Sequence, residues 1–178
     1  MGLMYEYFAA SSDEAAAEVV HIGPGGPEPA SPVLREALRA GDRDAIRLAM
    51  RPKVRLSDAD VLVLAAKGIE PVVQMGKLEA LLTSCQYNVL AGRPRAGHLV
   101  AEGGQEGPWV VTLTDEIQAA LGAASPERIA AVAHPWSEGE EFYGRGDPES
   151  LAAFLLELAG LARQASQRGE RLYCWMCL

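Results

Sequence analysis

Arg171-Leu172-Tyr173-Cys174-Trp175-Met176-Cys177-Leu178 closes the sequence with aromatic, aliphatic and sulfur side chains and no charge after Arg171. Such a run, without polar alternation, reads as a β-strand buried on both faces. A strand of that kind needs a neighbour on each side. Leu3-Met4-Tyr5-Glu6-Tyr7-Phe8-Ala9 is its natural partner, being similar in composition and aromatic at a period near two. Two terminal strands separated by helix-rich segments predict an α+β fold: a single domain over residues 1–178, with a small sheet that includes both terminal strands and is covered by several helices.

Outward from that strand, Asp147-Pro148 opens the clearest helix. Leu151, Phe154, Leu155, Leu158, Leu161, Ala162 and Ala165 follow the i, i+3, i+4, i+7 rule, and Gly169 stops it. Ser125-Pro126-Glu127 starts a shorter helix by the same capping logic, ending at His134-Pro135-Trp136. Thr114 caps another, with Asp115 and Glu116 in its first turn and Ile117, Ala120 and Leu121 as its stripe. Residues 98–102 and 109–113 flank a glycine-rich turn as a β-hairpin.

Nearer the start, Ser11 or Ser12 caps a helix running through Val20, followed by a Gly/Pro loop over 23–29. Ser31-Pro32 opens a helix closed by Gly41, Asp42 caps a second one to Met50, and Ser57 with Asp60 resembles a capping box for a buried helix over 58–67. Pro71 to Thr83 reads as a helix from Leu78, Leu81 and Leu82, with Val72-Val73-Gln74-Met75 as a short strand in the alternative. Residues 91–97 read as a loop.

The chain has 178 residues, enough to bury a core, and its 16 Lys+Arg against 24 Asp+Glu leave a net charge of −8. That field repels nucleic-acid phosphates and anionic lipid and favours a basic protein partner. No apolar run reaches the roughly 18 residues of a membrane span, no basic n-region precedes Arg35, and neither the myristoylation nor the prenylation pattern is met. Together with three cysteines, too few and too odd a number for a disulfide framework, these features predict a cytoplasmic protein. Its oligomeric state is not encoded in any motif.

Cys174 and Cys177 form a C-x-x-C, a spacing used for metals and thiol exchange. On a strand, however, the two sulfurs fall on opposite faces, so they read as buried filler; no metal or cofactor is expected. Gly76-Lys77 fails as a phosphate loop because Pro71 replaces its first glycine and Leu78 its hydroxyl. Serine-hydrolase, zinc-protease and deaminase signatures are absent. Arg93 and Arg95 would suit a carboxylate or phosphate clamp, but in so acidic a chain they read as balance for glutamates.

The densest polar and aromatic cluster is His134-Pro135-Trp136-Ser137-Glu138-Gly139-Glu140-Glu141-Phe142-Tyr143. A loop of this kind binds cations through charge and ring faces, or pairs carboxylates for acid/base work, which makes His134, Trp136, Glu138, Glu141 and Tyr143 candidate ligand-binding residues. If it is a small-molecule or catalytic site, His134 and one of Glu138, Glu140 or Glu141 must converge on a concave pocket. The first expectation, in the absence of a catalytic motif, is a non-enzymatic binding domain of adaptor or immunity type. A ligand binder or enzyme using 134–143 is the alternative.

The strand ending in Val111-Thr112-Leu113-Thr114-Asp115-Glu116-Ile117, the Ala-rich helix after it, the acidic and aromatic connection, the long amphipathic helix and the terminal strand resemble the YfbM-like family of uncharacterised bacterial proteins. The opening, with Met1-Gly2 ahead of a strand ending in Tyr7-Phe8-Ala9, is also similar. The resemblance implies an α+β domain of unknown activity and supplies no functional residue.

Overall fold

The computed structural model describes residues 4–21, 23, 39–41, 54–56 and 62–177. The terminal strands β1 (Met4–Ala10) and β6 (Arg171–Cys177) pair antiparallel along their whole length, from Met4 opposite Cys177 to Ala10 opposite Arg171. Four further strands complete the sheet: β2 (Val54–Leu56), β3 (Leu62–Lys67), β4 (Leu99–Glu102) and β5 (Trp109–Thr112). Their order is β2-β3-β1-β6-β5-β4 and every pairing is antiparallel, so the two chain ends lie at the centre. The β4–β5 hairpin falls where the sequence places it, with a register shift between Leu99 and Ala101.

Because side chains alternate along a strand, each central strand feeds two cores. Tyr5, Tyr7, Leu64, Val111, Leu172 and Cys174 face α2 (Val73–Thr83), α4 (Asp115–Ala123), α5 (Pro126–Ser137) and α6 (Pro148–Arg168). Phe8, Val63, Val110, Tyr173 and Trp175 face the other way, against Ala16 of α1 (Asp13–Ala17) and Val20. The Tyr7 hydroxyl, far from water, donates to the Ile69 carbonyl at 2.8 Å, and the Trp175 indole donates to the Val20 carbonyl at 2.8 Å. Cys174 lies on the first face and Cys177 packs with the second, which keeps the two sulfurs apart.

Helix starts follow local chemistry. The side chains of Ser12, Thr114, Ser125 and Asp147 accept from the backbone N–H groups of Ala15, Ile117, Arg128 and Ser150, and Gly169 closes α6 at φ 69°. All seven apolar positions expected of α6 are buried. At about 1.5–3 kcal/mol for each large side chain, this stripe is a leading contribution to stability.

Three expectations are corrected. Residues 62–67 form β3, not part of a helix over 58–67: Val63 and Leu64 are both fully buried, on opposite faces, and a short apolar run buried on both sides has no periodicity to separate strand from helix. The first helix stops at Ala17 and continues only as a turn to His21. The helix read over 71–83 is present as α2, and the strand alternative for Val72–Met75 falls, because the Glu70 carboxylate accepts from the N–H groups of Val72, Val73 and Gln74 at 2.7, 2.6 and 3.3 Å. The helix from Pro126 runs through Pro135 to Ser137. Proline there removes one bond, to the carbonyl of the exposed Ala131, while Ile129, Val132, Ala133 and Trp136 hold the helix to the core. A short helix α3 (Tyr87–Leu90) and strand β2 were not anticipated. The helices expected over 31–40 and 42–50 lie outside the described residues apart from 39–41, as do the 24–29 loop and the Ser57–Asp60 box.

Among the described residues no helix is long and apolar enough to cross a membrane. The filler role of the terminal thiols has a measurable consequence. Cys174→Ser, which places a hydroxyl at a fully buried site, should cost about 1–3 kcal/mol in urea unfolding. Cys177→Ser, at a half-buried site, should cost less than about 1 kcal/mol.

Candidate functional site

The connection from α5 to α6 is rigidly seated. Trp136 is buried, and its indole N–H donates to the Gln74 carbonyl at 2.9 Å. Phe142 meets the Trp136 ring edge-on at 5.2 Å. The Gln74 side-chain amide donates to the Glu141 carbonyl at 3.3 Å, and Lys77 pairs with the Glu141 carboxylate. That ion pair lowers the Glu141 pKa and raises that of Lys77, chiefly by hydrogen bonding. Glu140–Phe142 form a single 3-10 turn, followed by Tyr143 in the left-handed region at φ 51°.

The five candidates therefore separate into three groups. Trp136 and Glu141 are structural anchors onto α2. His134 and Glu138 sit one turn apart, 3.9 Å from Nδ1 to Oε1, with side chains 70% and 68% exposed. Tyr143 is 87% exposed. Moreover, His134–Ser137 belong to the last turn of α5, so the expected loop begins only at Glu138. A groove of about 460 Å³ lies between α2 and the end of α5, lined by Lys77, Ala80, Leu81, Ser84, Cys85, Pro135, Trp136 and Gly139. His134 and the three glutamates are not in its wall. Among the described residues no group of His, Cys, Asp and Glu is arranged to hold a metal ion, and the three cysteines are unbridged. Burial pushes the Cys174 thiol well up, which keeps it protonated and inert.

Two polar clusters escaped the sequence, one buried around Glu79 and one half-exposed around Arg95. Glu79, 2% exposed on α2, accepts from the Thr114 hydroxyl and pairs with Arg93, which also reaches Glu116 at 3.3 Å. A cavity of about 60 Å³ adjoins it, lined in part by Met75, Tyr87, Thr112 and Ile117, with room for a few waters but not for a drug-sized ligand. On the other side of the sheet, Arg95 pairs with Asp13 at 2.9 Å, lies 5.3 Å over the Tyr173 ring and approaches Asp115 at 3.5 Å. Tyr173 donates its hydroxyl to Asp13 at 2.8 Å. Both arginines of the 91–97 loop thus turn inward onto carboxylates, in agreement with the balancing role. Thr112 locks the loop, donating to the Arg95 carbonyl at 2.7 Å and accepting from the His98 N–H at 3.1 Å. No sequence spacing links Glu79 to Arg93, or Asp13 to Arg95; only the fold brings them together.

No protein-family model matches the chain, and no curated protein or solved structure is significantly similar to it.

The two clusters titrate in opposite senses. Hydrogen bonds from Arg95 and then Tyr173 hold the Asp13 carboxyl below its ordinary value. Its stabilisation is therefore present above about pH 4 and lost as pH falls through the depressed value. Burial raises Glu79 against the opposing pull of Thr114 and Arg93. The folded state consequently gains stability as pH falls through that raised value towards the ordinary one. Asp13→Asn should remove this group's share of the acid loss below about pH 4 while costing, at so exposed a site, about 1 kcal/mol or less at neutral pH. Glu79→Gln should abolish the gain in the window just above the ordinary glutamate pKa. Urea titrations of both variants from pH 3 to pH 8 separate the two effects.

Proposed function

We propose that this chain is a non-enzymatic partner-binding domain of the cytoplasm, of adaptor or immunity type, and that it meets a basic protein through the turn joining α5 to α6. The observation that carries this reading is Tyr143. A tyrosine with its ring in water costs apolar hydration, and a non-glycine residue in the left-handed region costs about 1 kcal/mol more. Both costs fall on a turn anchored from beneath by Phe142, Trp136 and Glu141. A rigid aromatic with two side-chain torsions, held out on a fixed support, has the character of a binding anchor.

The surroundings suit a cationic partner. Glu138 and Glu140 flank the turn and are exposed, and the whole chain carries −8. A field of that sign accelerates encounter with a basic surface and weakens with salt. Unbridged thiols and the absence, among the described residues, of a membrane-crossing helix are compatible with a reducing compartment. The alternative, a small-molecule site or enzyme built on 134–143, has less support. His134 and Glu138 are largely exposed and Glu141 is held by Lys77, so the titratable groups of 134–143 do not line the groove beside them.

A photo-crosslinking amino acid at position 143, introduced in cells of the source organism, should capture a protein of basic isoelectric point. With that partner purified, Tyr143→Ala should weaken binding by about 2 kcal/mol, or some thirtyfold. Glu138→Gln with Glu140→Gln should slow association and flatten its salt dependence. An unchanged affinity for Tyr143→Ala, or a captured partner that is acidic, would overturn the reading.

A further inference from the structure

Lys77, Ala80 and Leu81 recur at i, i+3 and i+4 and so share one side of α2, and Ser84 and Cys85 follow its end. Together they form one wall of the 460 Å³ groove, and Pro135 and Trp136 of the last turn of α5, with Gly139, form the other. Helices α2 and α5 run antiparallel, because Trp136 bonds to Gln74 at one end and Arg128 to Leu81 at the other. A helical ridge laid along this side of α2 meets the end of α5, where an apolar side chain can seat against Pro135 and Trp136. Its apolar content is Ala80, Leu81, Pro135 and part of Trp136.

Charge distinguishes the two ends. Gly139 enters the wall between Glu138 and Glu140, both exposed, and Glu140 makes no ion pair among the described residues. Lys77 at that end is already neutralised by Glu141. At the other end the Arg128 guanidinium donates to the Leu81 carbonyl at 2.8 Å and reaches that of Leu82 at 3.5 Å. A visitor is therefore attracted if it is cationic over Glu138 and Glu140 and uncharged or acidic beside Arg128.

We propose that the groove docks a cationic amphipathic helix of a partner protein, with aliphatic side chains seated between α2 and α5 and lysines or arginines over Glu138 and Glu140. This inference rests on the partner-binding reading above and names the element the partner presents. Tyr143, just beyond the acidic end, is placed to cover the docked helix.

Cys85 in the groove wall is a built-in reporter. Full-length protein is alkylated with iodoacetamide in the presence of a synthetic 18-residue helix of leucine and lysine, and labelling of each cysteine is followed by peptide mass spectrometry. At ten times its dissociation constant, the peptide should slow Cys85 about tenfold and leave Cys177 unchanged. A leucine–glutamate peptide of the same pattern should not protect. Glu138→Lys with Glu140→Lys, at exposed positions that leave the fold intact, should weaken the peptide about tenfold. Ala80→Trp should fill the groove and abolish protection. Undiminished labelling of Cys85, or equal protection by both peptides, overturns the proposal. So does sedimentation showing a dimer in which Cys85 is shielded, since a second copy would then be the occupant. A captured partner that is lost with Tyr143→Ala but retained with Ala80→Trp would leave the partner-binding reading standing and remove the groove from it.

Discussion

The pairing of β1 with β6 is the constraint from which the rest of the structure follows. Seven residues at the start of the chain lie opposite seven at its end, and both strands are interior to the sheet. Closing a loop over nearly the whole chain costs entropy that grows only with the logarithm of its length, whereas the interactions it makes possible are those of two strands flanked on both edges and both faces. Tyr7, Phe8, Leu172 and Tyr173 are buried as a result. Such a sheet requires cover on each side. The α6 stripe supplies it on one, α1 and Val20 on the other, and β5 and β3 satisfy the outer hydrogen-bonding edges. Gln118 of α4 completes the join, accepting from the Leu172 N–H at 3.0 Å and donating to the Glu170 carbonyl at 2.9 Å as the chain enters β6.

The same arrangement determines what can lie at the α5–α6 connection. Helix α6 packs against β1, β3 and β6, and α5 packs on α6 and α2, so the chain between them turns at the end of that layer with α2 as its support. Gln74, Lys77 and the Trp136 indole hold the turn there through three separate contacts. What is left over after those contacts is a ring and two carboxylates pointing outward. The candidate surface is thus the remainder of a packing problem solved beneath it, which explains why two of the five residues that looked functional in the sequence are anchors.

Legibility followed the range of the interaction. Caps at Ser12, Thr114, Ser125 and Asp147, the α6 stripe and the β4–β5 hairpin depend on residues within a few positions of one another, and each could be read directly. The pairing of the two ends was readable because composition marked both strands as interior. The segment 62–67 was not, since burial on both faces erases the alternation that announces a strand. Pro135 misled for the opposite reason: a strong local breaker was overruled by four buried side chains on the same helix. The ion pairs of Glu79 and Asp13 join residues 14 and 82 positions apart, and no local pattern could foretell them. Within 134–143, composition did not distinguish the side chains that face outward from those that anchor the turn.

Those hidden ion pairs bear on the field outside. Arg95 and Arg171 are matched to Asp13 and Asp115, Arg93 to Glu79 and Glu116, and Lys77 to Glu141. Within each group opposite charges lie within 4 Å, well inside the roughly 8 Å Debye length of physiological salt, so the first and last nearly cancel at a distance, while Arg93 offsets only one of its two carboxylates. The long-range potential is consequently shaped by carboxylates outside these groups. Along 138–149, Glu138, Glu140 and Glu149 lie outside these groups and are exposed. Had Arg93 and Arg95 remained on the surface as the clamp their spacing suggests, they would have presented a local positive patch to an approaching partner. Turned inward, they stabilise the loop and leave the exterior acidic, so internal pairing and surface charge are two consequences of one arrangement.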